Sequence, residues 1–198
     1  MTRSLPIAVA ARGHDRDWHR EATPSRPLRV ALVNMPWADP STPSIQCGLL
    51  KAGLQRYGHA VDVMYLNLDL SARIGPKLYF AVSDDGGRQD FLGEWLFGEA
   101  AFPNSHDSSA YLRDRAQGEA ERPGLTDEDL VELRNVVLPG WVADTANAAD
   151  WAGYDIVGFT STFEQNVASL ALCRAIKERH PDLITVFGGA NFDTEMGP

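Results

Sequence analysis

Cysteine is scarce: Cys47 and Cys173 are the only two in 198 residues, and they lie far apart. That excludes a disulfide framework, a CxxC metal pair and, within this chain, the three-thiolate cradle of an iron–sulfur cluster. Long apolar runs are also missing. No stretch approaches the roughly 18 residues a membrane helix needs, so no membrane partner is expected. Positive charge is in deficit, with 18 Lys+Arg against 27 Asp+Glu and a net charge of −9. A chain that neutralises many phosphates carries the opposite sign, so no nucleic-acid partner is expected. Six Arg and only three acids fall within residues 1–29, so the acid excess belongs to the remainder. No GxGxxG follows the first apolar run and there is no GxxxxGK[ST], so dinucleotide and P-loop sites lack their phosphate cradle. Reduced thiols, an acidic surface and a small-molecule or protein partner fit a cytoplasmic protein.

What is present is a repeated alternation of strand and helix signals. Residues 28–34 (LRVALVN) form a β-branched apolar run that stops before Pro36, as a buried strand ends in a loop. A helix follows from Ile45, with Ile45, Leu49, Leu54 and Tyr57 on a broad apolar face and Gly58 as its terminator. Residues 60–66 (AVDVMYL) give a second strand, so the unit is a βαβ crossover with a parallel pair. Residues 154–160 (YDIVGFT), a helix from Glu164 to Arg179 and LITVFGG repeat the pattern. The spacing therefore predicts an α/β fold: a doubly wound, Rossmann-like or flavodoxin-like parallel sheet of at least four strands.

Residues 67–153 are too long for a simple crossover and read as a helical insertion between strands 2 and 3. In it, Thr126–Asp129 form a helix start and Pro139 with Gly140 a stop, before a short helix over residues 141–150. Residues 1–27 read as a disordered leader rich in Arg, with Pro6, Gly13, Pro24 and Pro27; residues 5–11 carry only a minimal signal-peptide character. Residues 28–198 form the domain. A five-stranded sheet of this class would still need a helix and a strand after Pro198, so the domain is expected to be incomplete at that end.

Doubly wound sheets bind ligands beyond the carboxyl ends of their strands, which puts three loops in view. Thr160, Ser161 and Thr162 open a helix, where hydroxyls and free backbone N–H groups either cap the helix or meet an oxygen-rich ligand. Gly188 and Gly189 allow a sharp turn or a flat approach to a ligand, and Asn191 either binds an amide or forms an Asx turn. Trp37, in a loop stiffened by prolines, either walls a wide planar ligand or caps the sheet. Gly48 and Gly53 fit close helix–sheet packing. Neither cysteine has a neighbouring His and Asp to activate it, His59 reads as a turn histidine, and nothing pairs the acids Asp39 and Glu164.

The segments MPWADPSTPSIQCGLLKAGLQRYGHAVDVMYLNL, GEWLFGEAAF and DIVGFTSTFEQNVASLALCRAIKERHPDLITVFGGANFDTEMG together resemble the amino-terminal domain of RiPP maturation radical SAM proteins. Those are cobalamin-binding-domain radical SAM enzymes that modify ribosomally made peptides, often as C-methyltransferases. The resemblance runs from about Arg29 to Gly197 and is weakest in the insertion outside GEWLF. It implies a corrin lying over the strand-end loops, with Met35, Pro36, Trp37, Ser44 and Gln46 on the loop facing it. It further implies that Thr160, Ser161, Thr162 and Glu164 form the hydroxyl loop that meets the nucleotide tail, with Gly188, Gly189, Ala190 and Asn191 as the Gly-rich turn beside it. The partners implied are cobalamin, a ribosomal precursor peptide and a radical SAM catalytic domain in cis or trans.

Two departures shape the expectation. The DxHxxG motif of cobalamin mutases is absent, so bound cobalamin should be base-off and His-off. The CxxxCxxC motif is absent as well, so the [4Fe–4S] cluster and S-adenosylmethionine would belong to a downstream domain. A cofactor-free scaffold or peptide-recognition domain of the same family is the first alternative. The amino half of a GT-B glycosyltransferase is the second, on the strength of a glycine-bearing helix followed by YGHAVDV.

Overall fold

The computed structural model describes residues 26–83, 91–104, 108–116 and 125–192. The fold is α/β. Four strands, β1 (Arg29–Asn34), β2 (Ala60–Tyr65), β3 (Ile156–Thr160) and β4 (Ile184–Gly188), form one all-parallel sheet in the order β2-β1-β3-β4, a Rossmann- or flavodoxin-like arrangement. Helix α1 (Ile45–Arg56) joins β1 to β2. Helices α2 (Leu66–Ile74), α3 (Pro76–Ser83), α4 (Leu92–Ala101), α5 (Ser108–Ala116), α6 (Asp127–Glu132) and α7 (Leu138–Ala148) fill the connection to β3, and α8 (Asn166–Arg179) joins β3 to β4. Residues 1–25 of the expected leader and residues 193–198 lie outside the described residues. Arg26 does not follow the leader expectation: it donates to Asp155 Oδ2 at 3.0 Å, tying the chain just before β1 to the start of β3.

β1 is apolar at successive positions because it is central, paired with β2 and β3, and Val30 to Val33 are buried on both faces. One face carries Ala31, Val33, Val157 and Phe159 into the main core, where Phe97 of α4, Trp141 of α7 and Leu172 and Ile176 of α8 cover them. The insertion is thus the helical layer of that face. The opposite face is thinner, with Val30, Leu32 and Val61 packed on Cys47 of α1.

Four expectations change here. The apolar face assigned to α1 does not meet the sheet: Ile45, Leu49 and Tyr57 are 74%, 69% and 75% exposed, while Cys47 is buried and Leu54 half-buried. The 3.6-residue pattern had two apolar arcs, and the sheet took the smaller. Gly48 and Gly53 serve no close packing, since a Cβ at either would meet nothing within 4 Å. Pro139 and Gly140 do not stop a helix. The chain passes from α6 through a π-helical turn, Leu133–Val137, into α7, with Leu138 N bonded to Leu133 O. Pro139 then falls in the first turn of α7, where a missing N–H costs least. Helix α8 begins at Asn166 and not Glu164, whose φ of 57° lies in the left-handed region.

The insertion also buries a charge that the pattern gave no reason to place inside. Arg134, on the π turn, is 1% exposed, lies over the Trp95 ring at 4.8 Å and donates to the Trp95 carbonyl. A Cβ on Gly98 would fall 2.6 Å from its Nη1, so that glycine makes room for the guanidinium.

Candidate functional site

The winding direction reverses between β1 and β3, and a cleft of about 280 Å³ opens at their carboxyl ends. This is where an open α/β sheet offers a ligand site. Asn34 at the end of β1 and Thr160 at the end of β3 form the floor. The loop after β1 gives Trp37, Asp39 and Thr42, the start of α1 gives Ser44, Ile45 and Gln46, and the loop after β3 gives Thr162, Phe163, Glu164 and Gln165.

Of the residues expected at the site, the cleft brings together Trp37, Ser44, Gln46, Thr160, Thr162 and Glu164. Met35 and Pro36 are buried beneath it, Met35 in the main core. Ser161 is fully buried behind the loop. Gly188, Gly189, Ala190 and Asn191 do not line the cleft. Gly189 has φ 122°, and a Cβ there would sit 2.1 Å from the Ser161 carbonyl oxygen, so its glycine answers to a backbone contact. Asn191 donates through Nδ2 to Ser161 Oγ at 3.1 Å and to the Thr162 carbonyl, bracing the same loop.

The three hydroxyls are engaged within the protein. Thr160 Oγ1 donates to Val33 O at 3.2 Å, Ser161 Oγ pairs with Asn166 Oδ1, and Thr162 Oγ1 donates to Gln165 Oε1 at 2.8 Å. None of them caps α8. The N-terminal amides of Asn166 and Val167 donate instead to Oε1 and Oε2 of Glu94 on α4, at 3.1 and 2.7 Å. Burial raises the Glu94 carboxyl above its ordinary pKa, and these two backbone bonds oppose the rise.

Trp37 is turned inward, 4% exposed, with its ring centroid 5.1 Å from Tyr79 and 5.9 Å from Phe97. Its indole edge fits against Gly93, where a Cβ would fall 2.3 Å from Trp37 Cδ1. The indole Nε1 is buried without a hydrogen-bond partner among the described residues. Tyr79 donates its hydroxyl to Ala38 O at 2.7 Å; burial, with the Asp39 charge behind it, raises the phenol strongly. Burial also raises both cysteine thiols.

Sequence reasoning missed Gln165 and Glu94. Gln165, 1% exposed, donates through Nε2 to Met35 O at 2.6 Å and accepts from Thr162 N at 2.9 Å. It staples the loop after β1 to the loop after β3. Its signal was masked by the assumption that the helix had already begun. Glu94 sits in the GEWLF segment, 72 residues from the amide it caps, and no local pattern announces such a pairing. His59, at the turn before β2, accepts from Leu28 N through Nδ1 at 3.2 Å, as a turn histidine does.

The site is therefore a polar-floored cleft with an apolar mouth, where Ile45 is 74% and Phe163 65% exposed, and its charged lining residues are the acids Asp39 and Glu164. Such a site accepts hydrogen bonds from amide N–H groups and covers an apolar edge. Among the described residues no helix is long and apolar enough to cross a membrane. No family model, no curated protein and no solved structure matches the chain.

Proposed function

We propose that this chain is the amino-terminal, cobalamin-binding-type domain of a cytoplasmic radical SAM enzyme of the peptide C-methyltransferase type, which matures ribosomally synthesised peptides. The observation that supports this reading is the position of the cleft: it lies at the switch point, between two of the three strand-end loops to which the sequence resemblance points. No histidine occurs in the loops after β1, β3 or β4, in keeping with a His-off corrinoid.

The polar lining suits the amide fringe of the ring in part: Asp39, Glu164 and Gln46 carry acceptor oxygens, Asp39 already receiving Ser41 and Thr42 and Gln46 receiving Ser44, while Ile45 and Phe163 offer apolar surface at the mouth. A cleft of about 280 Å³ holds part of so large a group and leaves the rest outside. When bound, cobalamin supplies a cobalt centre that relays a methyl group from S-adenosylmethionine to the peptide. The contribution of this chain is binding and orientation. The [4Fe–4S] cluster and S-adenosylmethionine belong to a catalytic domain in cis or trans, because Cys47 and Cys173 cannot supply three thiolates.

A second reading, a cofactor-free scaffold or peptide-recognition domain, is favoured by one observation: the loop hydroxyls and the α8 amides already have partners inside the protein. Titration of the purified protein with hydroxocobalamin separates the two. A saturable change in the visible spectrum is expected for the cobalamin reading; a folded protein that leaves the spectrum unchanged supports the scaffold.

A further inference from the structure

We propose that the outer face of α1 is an interface with a second copy of this chain, the two helices packing antiparallel about a two-fold axis level with Lys51, so that Leu49 of each packs over Gly53 of the other.

Helix α1 has two apolar arcs, and the sheet covers the smaller, through Cys47 and Leu54. The wider arc points outward: Ile45, Leu49, Leu50 and Tyr57 are all exposed along and just past a helix of 12 residues. A helix with apolar residues on both sides is ordinarily covered on both, and a contiguous exposed apolar face marks an interaction surface. Gly48 and Gly53 keep this face low enough for another helix to come close, since a Cβ at either would stand in open space.

The order of residues along the face selects the partner. Turned end for end, the face matches itself: Ile45 falls opposite Tyr57, Leu49 opposite Gly53 and Gln46 opposite Arg56. Large meets small near the centre, apolar meets apolar at the ends, and an amide meets a guanidinium beside them, which is the self-complementarity an isologous two-fold contact requires. Charge agrees with this pairing. The sequence from Pro40 to Val61 holds no acid, although the chain carries 27 Asp+Glu, and the exposed Arg56 meets the partner's Gln46 and not the partner's Arg56. Ile45 and Gln46 also line the cleft, so the partner's Tyr57 and the partner's Arg56 stand at its mouth, where the charged lining residues are Asp39 and Glu164. One helix about 18 Å long covers less than the roughly 800 Å² a side of a standard interface, so the dimer is a weak one, with a Kd on the order of 10 µM.

Sedimentation velocity of the wild-type chain from about 1 to about 200 µM tests the interface. The average sedimentation coefficient should rise from the monomer's to the dimer's across that range; a monomer throughout overturns the proposal. Leu49→Asp, at an exposed position outside the core, should weaken the dimer at least about tenfold, and a dimer left unchanged by it uses another surface and overturns the proposal as well. Gly53→Leu separates a fitted contact from general stickiness. It adds apolar area yet fills the space that receives the partner's Leu49, so association should weaken at least about threefold; unchanged or stronger association overturns the register. Thiol cross-linking reads the direction. Oxidised together, Ile45→Cys and Tyr57→Cys chains should form the mixed disulfide in excess over either homodimer, as read by mass spectrometry of the linked peptides; homodimer disulfides in excess mean a parallel pair and overturn the arrangement. Circular dichroism checks that each variant is folded, and should Leu49→Asp not fold, Leu49→Ser takes its place with the same direction of change.

Discussion

Replacing Gln165 by Met tests whether the two strand-end loops form one unit. Methionine keeps the length and bulk of the side chain but removes three hydrogen bonds: to Met35 O at 2.6 Å, from Thr162 N at 2.9 Å and from Thr162 Oγ1 at 2.8 Å. The buried Met35 carbonyl keeps only the Ala38 amide, at 3.2 Å, and the half-buried Thr162 amide loses this acceptor. Each such group costs about 1–3 kcal/mol when its partner is removed, less where water can reach it. A loss of about 3 kcal/mol is expected, with the Thr162 hydroxyl free to turn to water. For a domain of this size that lowers Tm by roughly 6–12 °C. Urea denaturation of the wild type, Gln165→Met and the exposed control Gln46→Met measures it; the control should lie within about 0.5 kcal/mol of wild type. A loss below about 1 kcal/mol for Gln165→Met would refute the staple.

Three further outcomes follow from the same structure. Gly189→Ala and Gly48→Ala should differ in sign: the first forces a Cβ onto the Ser161 carbonyl at φ 122° and should cost about 3 kcal/mol or more, while the second adds a methyl to open space on a helix and should gain about 0.5–1 kcal/mol in the same urea assay. Because Glu94 has a raised folded pKa, its contribution is fully present below the unfolded pKa and declines as pH rises through the folded one. Urea midpoints from pH 4 to 8 should therefore show the wild type losing ground to Glu94→Gln as pH increases. Asp155 is held at about 2, by the Arg26 side-chain bond and then by the Arg29 amide, so its contribution is present above the ordinary carboxylate pKa and lost as pH falls toward 2. In Arg26→Ala that acid-limb loss should shrink, as read by fluorescence during acid titration.

The strands and their parallel character were legible because buried parallel strands are written as near-continuous apolar runs, and RVALVN, AVDVMY and IVGFT stand out from their surroundings. The position of the cleft followed from the reversal of winding, which is a property of topology and not of any one residue. What remained illegible was how side chains share partners across long distances. Thr160 looked like a surplus donor because its acceptor, Val33 O, becomes a neighbour only after folding, whereas Ser161 and Thr162 turn to Asn166 and Gln165, five and three residues on, which a helix beginning at Glu164 hid. Glu94 capping α8 and Arg134 stacked over Trp95 are long-range tertiary facts. Helix α1 misled for a different reason: its apolar residues occupy more than one arc, and periodicity does not say which arc the sheet receives.

If a corrinoid settles against these strand-end loops as proposed, it does so with no imidazole or benzimidazole on its cobalt. Electron paramagnetic resonance of cob(II)alamin before and after addition of the folded chain tests it most directly. The free cofactor shows the nitrogen superhyperfine splitting of its own base. This splitting should disappear on binding; a spectrum that keeps it in the presence of saturating protein means that the base stays on cobalt and the proposed base-off binding is wrong.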